Sequence, residues 1–287
     1  MVQIRSDRKQ EVALASLATV SVFVGVAGMT LAAAGARSLG LGLPGAMIVA
    51  ESALAITAVG AALLLRIPIP FNTGPRAPAG LFFAPVLAGA ALWLTGLGLM
   101  GLQAHLWSPP PGYLDAFLDV HRSLLPVDAA TALVSLTAIA LAPAVCEELL
   151  FRGVALPAFV PGAGPVRAVL LSALLFGLIH VDVVGGALSL YRAPFAFAVG
   201  LGFGALRLRS GSLVPPIVAH ATLNAATWSI GLFALDLDTV VSEAAPSAPG
   251  VAALELLLGG FAFTWLLRNW PGCLTDLGDS SPPSGPR

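Results

Sequence analysis

Apolar residues in this chain come in long blocks bounded by charged residues or by Pro/Gly clusters. A helix needs roughly 20 apolar residues to cross about 30 Å of hydrocarbon. Eight blocks are read as spans, at residues 12–34, 43–65, 81–106, 129–151, 166–187, 193–208, 213–235 and 251–267, the sixth being the shortest. The pattern predicts an all-α, polytopic membrane helix bundle of about eight transmembrane helices.

Loop charge tests that count, because Lys and Arg accumulate on the cytoplasmic side of short loops. With the N-terminus inside, the cytoplasmic segments hold Arg5, Arg8, Lys9, Arg66, Arg76, Arg152, Arg167, Arg207, Arg209, Arg268 and Arg287. Only Arg37, Arg122 and Arg192 fall outside. A seven-helix reading without the sixth block would move Arg207 and Arg209 outside and blur this asymmetry, so eight spans with N-terminus and C-terminus cytoplasmic are expected. The first block follows a basic segment and ends in Ala32-Ala33-Ala34, but its apolar run is about twice that of a signal peptide, which favours an uncleaved helix. Residues 107–127, with Pro109-Pro110-Pro111, form the longest external loop, and 113–120 suit a short interfacial helix.

Four regions follow: 1–128, three helices and the external loop; 129–235, a core; 236–275, an acidic external loop and the last helix; and 276–287, a tail of disordered composition. No internal repeat of the kind that marks many transporters is visible.

Composition sharpens the class. Of 287 residues 57% are hydrophobic and 10% charged, against about 25% charged in soluble proteins. That excludes a soluble globular enzyme. Fourteen Lys and Arg nearly cancel fifteen Asp and Glu, so no charge excess attracts nucleic acid, and the lipid bilayer is the expected surrounding. Cys146 and Cys273 have no CxxC or zinc-ribbon spacing. The Arg-rich, Lys-poor loops suggest a GC-rich bacterial genome and hence a bacterial inner (plasma) membrane.

An ionisable residue inserted mid-bilayer costs about 2.5–3.5 kcal/mol, which makes each one a functional candidate. They are Glu51, Glu147, Glu148, Arg152, His180, Asp182, His220 and Glu255, and most of them form three short patterns. In the first, Glu148 and Arg152 stand four apart with the acid N-terminal, the favourable order for a helical ion pair. Glu147 lies about 100° around the helix, free to act as general base on water while Arg152 holds Glu148. In the second, Phe176-Gly-Leu-Ile-His180, Gly177 removes a side chain beside the imidazole and admits a neighbouring helix. Asp182 follows as a water-exposed neighbour or a supporting partner. In the third, His220 and Asn224 share a helical face, and two donors aimed at one point suit an oxyanion hole.

The set EExxxR, FxxxH and HxxxN, each on its own span, resembles the CPBP family of intramembrane proteases, which includes the type II CAAX prenyl endopeptidases. The resemblance implies an eight-helix fold with a cavity open to the cytosol and peptide-bond hydrolysis within it. By that resemblance Glu147 and His180 activate water, His220 and Asn224 stabilise the oxyanion, and Glu148 and Arg152 hold the geometry. The substrate would be a membrane-bound protein or peptide near the cytosolic face, a regulator or precursor being as plausible as a prenylated protein. No HExxH occurs; if a metal takes part, zinc being the candidate, its ligands would be Glu147, His180 and His220, although a metal-free mechanism suits Asn224 better. A catalytically silent membrane binding or immunity protein and a proton-coupled transporter are the competing readings.

The depths conflict. At about 1.5 Å per residue, Glu147 sits roughly 6 Å from the inner end of its span, His220 about 10 Å and His180 about 21 Å. Pro157, Pro161 and Pro165 are therefore expected to hold a recessed loop that starts the fifth span deeper. Two GxGxxG matches, at Gly40/Gly42/Gly45 and Gly96/Gly98/Gly101, follow no strand and mark no dinucleotide site. Gly200, Gly202 and Gly204 are read as close helix packing. Glu51 and Glu255 are read as pairing inside the bundle, with Glu51 a candidate to line a cavity, and His105 and His121 fall outside the site.

Overall fold

The computed structural model describes residues 7–71, 83–184, 187–233 and 248–270. Helix α1 (Arg8–Ser38) begins at Asp7, whose side chain caps the Lys9 amide, and runs unbroken through Ala32-Ala33-Ala34. A tight turn leads to α2 (Leu43–Leu65), started by Pro44 and ended by Arg66 in the left-handed conformation. The other helices are α3 (Ala84–Leu106), α4 (Tyr113–Ser123), α5 (Ala129–Ala163), α6 (Pro165–Leu178), α7 (Ala193–Ser210), α8 (Val214–Phe233) and α9 (Pro249–Asn269). One antiparallel hairpin, β1 (Asp182–Val184) and β2 (Ala187–Ser189), links α6 to α7.

Each of the eight expected spans contains a helix, and the all-α membrane bundle stands. Helices α1, α2, α3, α5 and α9 are long and apolar enough to cross a bilayer. Large apolar side chains lie on the outside, Leu64 being 85% and Phe261 73% exposed, which suits lipid rather than water. The segment expected to be a short helix, 113–120, lies in α4. The acidic loop beyond Phe233 and the tail after Trp270 lie outside the described residues.

Two boundaries differ from the sequence reading. The fifth span ends at Leu178, and the chain leaves the helix for the hairpin where a helix to residue 187 was expected. The fourth extends to Ala163 rather than 151. Within α5 the hydrogen bonding widens into π turns at Thr137–Leu141 and Leu149–Ala155, on either side of the glutamate pair. Pro143 and Pro157 lack the N–H that would serve Ile139 and Gly153, and both of those carbonyls fall inside the π segments. The prolines thus widen the helix without ending it. A tight turn at Gly164, with φ 77°, separates α5 from α6.

Pro157, Pro161 and Pro165 therefore do not form a recessed loop; two are helical within α5 and the third starts α6. Measured from the Gly164 turn, Glu147 is about 24 Å along α5 and His180 about 22 Å along α6. The recessed turn lies between α7 and α8. Leu213 reaches Gly153, its Cδ1 lying 3.4 Å from where a β-carbon would stand, about 15 Å up α5 from Ala163. His220 is about 9 Å further along α8, at the level of Glu147. Leu213 N–H donates to Pro70 O at 3.0 Å and the Ser212 hydroxyl donates to Phe71 O, so the segment after α2 props this turn.

Candidate active site

Glu147 and Glu148 sit between the two π turns of α5, with Arg152 within the second. Arg152 and Glu148 are both 0% exposed. Arg152 Nη1 donates to Glu148 Oε1 at 2.7 Å, and Nη2 donates to the Gly200 carbonyl of α7 at 2.9 Å. The guanidinium also lies 4.5 Å from the Phe176 ring and 5.3 Å from the Phe203 ring. A buried cation with an acid, a carbonyl and two aromatic faces around it is a compensated charge. The expected ion pair between Glu148 and Arg152 is present, and Glu147 is not bonded to Arg152.

Glu148 also receives His220. Its Oε1 lies 3.1 Å from His220 Nδ1. A carboxylate only accepts, so Nδ1 carries the proton and Nε2 is aimed elsewhere. His220 Nε2 lies 3.7 Å from Glu147 Oε2. The imidazole stacks on Phe203 with ring centroids 4.7 Å apart and meets the edge of Phe176 at 6.0 Å. Arg152, Glu148, His220 and Glu147 thus form one continuous buried polar chain joining α5 to α8.

His180 follows the C-terminus of α6. Its Nδ1 donates to the Phe176 carbonyl at 2.7 Å, which leaves Nε2 as acceptor. Phe176 connects the two histidines, its ring 4.6 Å from His180 and 6.0 Å from His220. Gly177 does what its smallness suggested, since a β-carbon there would stand 3.0 Å from Ala193 O and 3.1 Å from Phe197 Cβ of α7. Asn224 lies one turn beyond His220 on α8, half-buried. Asp182 opens strand β1.

Of the two histidines it is His220, not His180, that Glu147 approaches at ion-pair distance. Among the described residues no three His, Cys, Asp or Glu side chains gather as a metal would require. Glu147, His180 and His220 as placed do not fit a three-ligand zinc site. Two contributors escaped the sequence reading. Phe203 supplies the face under His220, and the Gly200 carbonyl anchors Arg152; both lie in the Gly200-x-Gly202-Phe203-Gly204 run, whose tight packing was legible but whose accepting carbonyl was not.

No curated protein and no solved structure matches the chain. Residues 129–226, the stretch that carries all three motifs, match the family model described as Rce1-like, Type II CAAX prenyl endopeptidase Rce1-like, so over that stretch the chain is similar to the CPBP-type proteases its motifs resemble.

Proposed function

We propose that this chain is an intramembrane endopeptidase that hydrolyses a peptide bond of a membrane-bound protein or peptide. The observation that carries the reading is the buried chain Arg152–Glu148–His220–Glu147. Packing alone gives no reason to bury two acids, a guanidinium and an imidazole together, and perturbed ionisable clusters are typical of catalytic sites. The family match over residues 129–226 supports hydrolase chemistry at the general level.

In this reading a water molecule lies between the Glu147 carboxylate and His180 Nε2. Glu147 takes a proton from the water as its oxygen bonds to the scissile carbonyl carbon. His180, its tautomer fixed by the Phe176 carbonyl, orients that water through its free lone pair. The carbonyl oxygen becomes an oxyanion that accepts from His220 Nε2 and the Asn224 amide. Donation from Nε2 uses the His220 form protonated on both ring nitrogens, with Glu148 holding the Nδ1 proton and Arg152 balancing Glu148. Collapse of the intermediate breaks the C–N bond, and Glu147 returns its proton to the departing amine. No step passes through a metal.

The substrate class follows the setting. Glu147 lies near the middle of the 35-residue α5, so a scissile bond must reach it from within the bilayer or through a polar opening. A membrane-anchored segment satisfies this, whether prenylated or held by its own apolar helix. The test is cleavage of a fluorogenic peptide library, farnesylated CAAX peptides included, by the purified chain in detergent beside a His180→Ala control. Cleavage that disappears with His180 supports the reading; cleavage that persists in the variant removes His180 from the mechanism.

A further inference from the structure

Glu51 lies in α2, outside the matched stretch, yet the packing brings it to the catalytic level. It is 9% exposed, and its Oε2 is buried without a hydrogen-bond partner among the described residues. The register of three helices fixes its neighbour. Glu11, at the start of α1, lies against Gly162 near the end of α5, whereas Gly25, further along α1, faces Leu150. Helices α1 and α5 are therefore antiparallel. Gly28 meets Ala53 and Gly25 meets Thr57, so α1 and α2 are antiparallel too, and α2 runs parallel to α5. Leu54 Cδ2 and Leu150 Cδ2 lie 3.1 and 3.2 Å from the β-carbon position of Gly25, which sets Leu54 and Leu150 level with each other. One turn back on each helix stand Glu51 and Glu147, and Glu147 Oε2 is likewise buried without a hydrogen bond.

Among the described residues no Lys, Arg or His forms an ion pair with Glu51. Helix α1 has no ionisable residue between Glu11 and Arg37, and residues 129–145 of α5 have none. From α5 it faces Cys146 and Glu147, both within electrostatic reach. Helix α4, at the outer end of α2, carries Asp115, Asp119, His121 and Arg122. Glu147 in turn faces Glu148, His220 and, from the start of α7, Arg192. Arg152 is engaged by Glu148 and Gly200.

We infer that Glu51 is a positioning residue of the site, a second carboxyl group that shares one proton with Glu147 and thereby sets when the general base is free to act. The inference rests on the proposed catalytic role of Glu147. Two level, buried carboxylates repel each other when both are charged, and such a pair titrates as one unit. The α1–α2 hairpin thus completes the site.

The experiment is pH-dependent infrared difference spectroscopy of the protonated-carboxyl stretch, on the full chain in detergent. Wild type, Glu51→Gln, Glu147→Gln and the double variant are compared, with Glu255→Gln to remove the contribution of that half-buried acid. Replacing either partner moves the titration midpoint of the other by about one pH unit or more. Midpoints that stay put in both single variants overturn the inference, and if Glu51→Gln does not fold, Glu147→Gln reads the coupling from the other side. In peptide cleavage the pH profile moves in Glu51→Gln and returns in Glu51→Asp; an unmoved profile overturns the link to catalysis. The spectra need no substrate, so a wild type that cleaves nothing counts against the catalytic reading and leaves the shared proton to be decided by the midpoints.

Discussion

Replacing Arg152 by Met tests the buried polar chain at its anchor. Met keeps an unbranched side chain and removes the guanidinium. The substitution strips Glu148 of its 2.7 Å donor, leaves the Gly200 carbonyl without its 2.9 Å donor and removes the cation from between Phe176 and Phe203. Glu148 is then a carboxylate with 0% exposure whose remaining contact is His220. Breaking a buried pair by deleting one partner costs about 3–5 kcal/mol. At about 2–4 °C per kcal/mol for a chain of this size, the thermal transition of the detergent-solubilised protein falls by roughly 6–20 °C. Replacing both partners, Arg152→Met with Glu148→Gln, removes the stranded charge, so the double variant is more stable than Arg152→Met alone. A double-mutant cycle on these transitions reads the coupling directly. An Arg152→Met protein within about 1 kcal/mol of wild type, or a cycle with no coupling, would refute the claim that this ion pair organises the site.

Other consequences follow from single contacts. Asn224→Ala lowers kcat for peptide cleavage about 100- to 1000-fold with little change in thermal stability, the cost of one oxyanion donor; an unchanged kcat removes Asn224 from that role. Gly98→Ala drives a methyl into the Ala252 carbonyl and Leu256 of α9, and the overpacking lowers stability by about 1–3 kcal/mol, read from the thermal transition. At the start of α5, the Thr131 amide and hydroxyl hold the Asp128 carboxyl below the ordinary carboxylate range. Its folded value is depressed, so its capping contribution is complete above about pH 4 and is lost as pH falls through the folded value. Amide exchange at residues 129–132 then accelerates in that acid window, and in Asp128→Ala it is already fast at neutral pH.

Which parts of this architecture were legible in the sequence follows from how local the causes are. Apolar blocks located the helices because burying a span in lipid requires only local composition. The Glu148–Arg152 pair was readable because it is closed within one turn. The end of the fifth span was not, since Leu174 to Leu178 is as apolar inside the helix as Val183 and Val184 are in the hairpin. Pro157 misled for a physical reason: a proline usually breaks a helix, but here the carbonyl it frees, that of Gly153, falls within a π turn. The contact of Glu148 with His220 spans 72 residues and the anchoring of Arg152 on Gly200 spans 48, and no local pattern encodes either. Glu51 was read as pairing inside the bundle or lining a cavity; its Oε2 has no hydrogen-bond partner among the described residues, and only the register of α1, α2 and α5 brings it level with Glu147.

The central claim is that Glu147 activates water for peptide hydrolysis. Its most direct test is single-turnover cleavage of one susceptible membrane peptide by the wild-type chain and Glu147→Gln, in water enriched in oxygen-18, with products read by mass spectrometry. The account predicts one heavy oxygen in the new carboxyl terminus with wild type and a rate lower by at least about 100-fold in the variant. Cleavage by Glu147→Gln at the wild-type rate would contradict it.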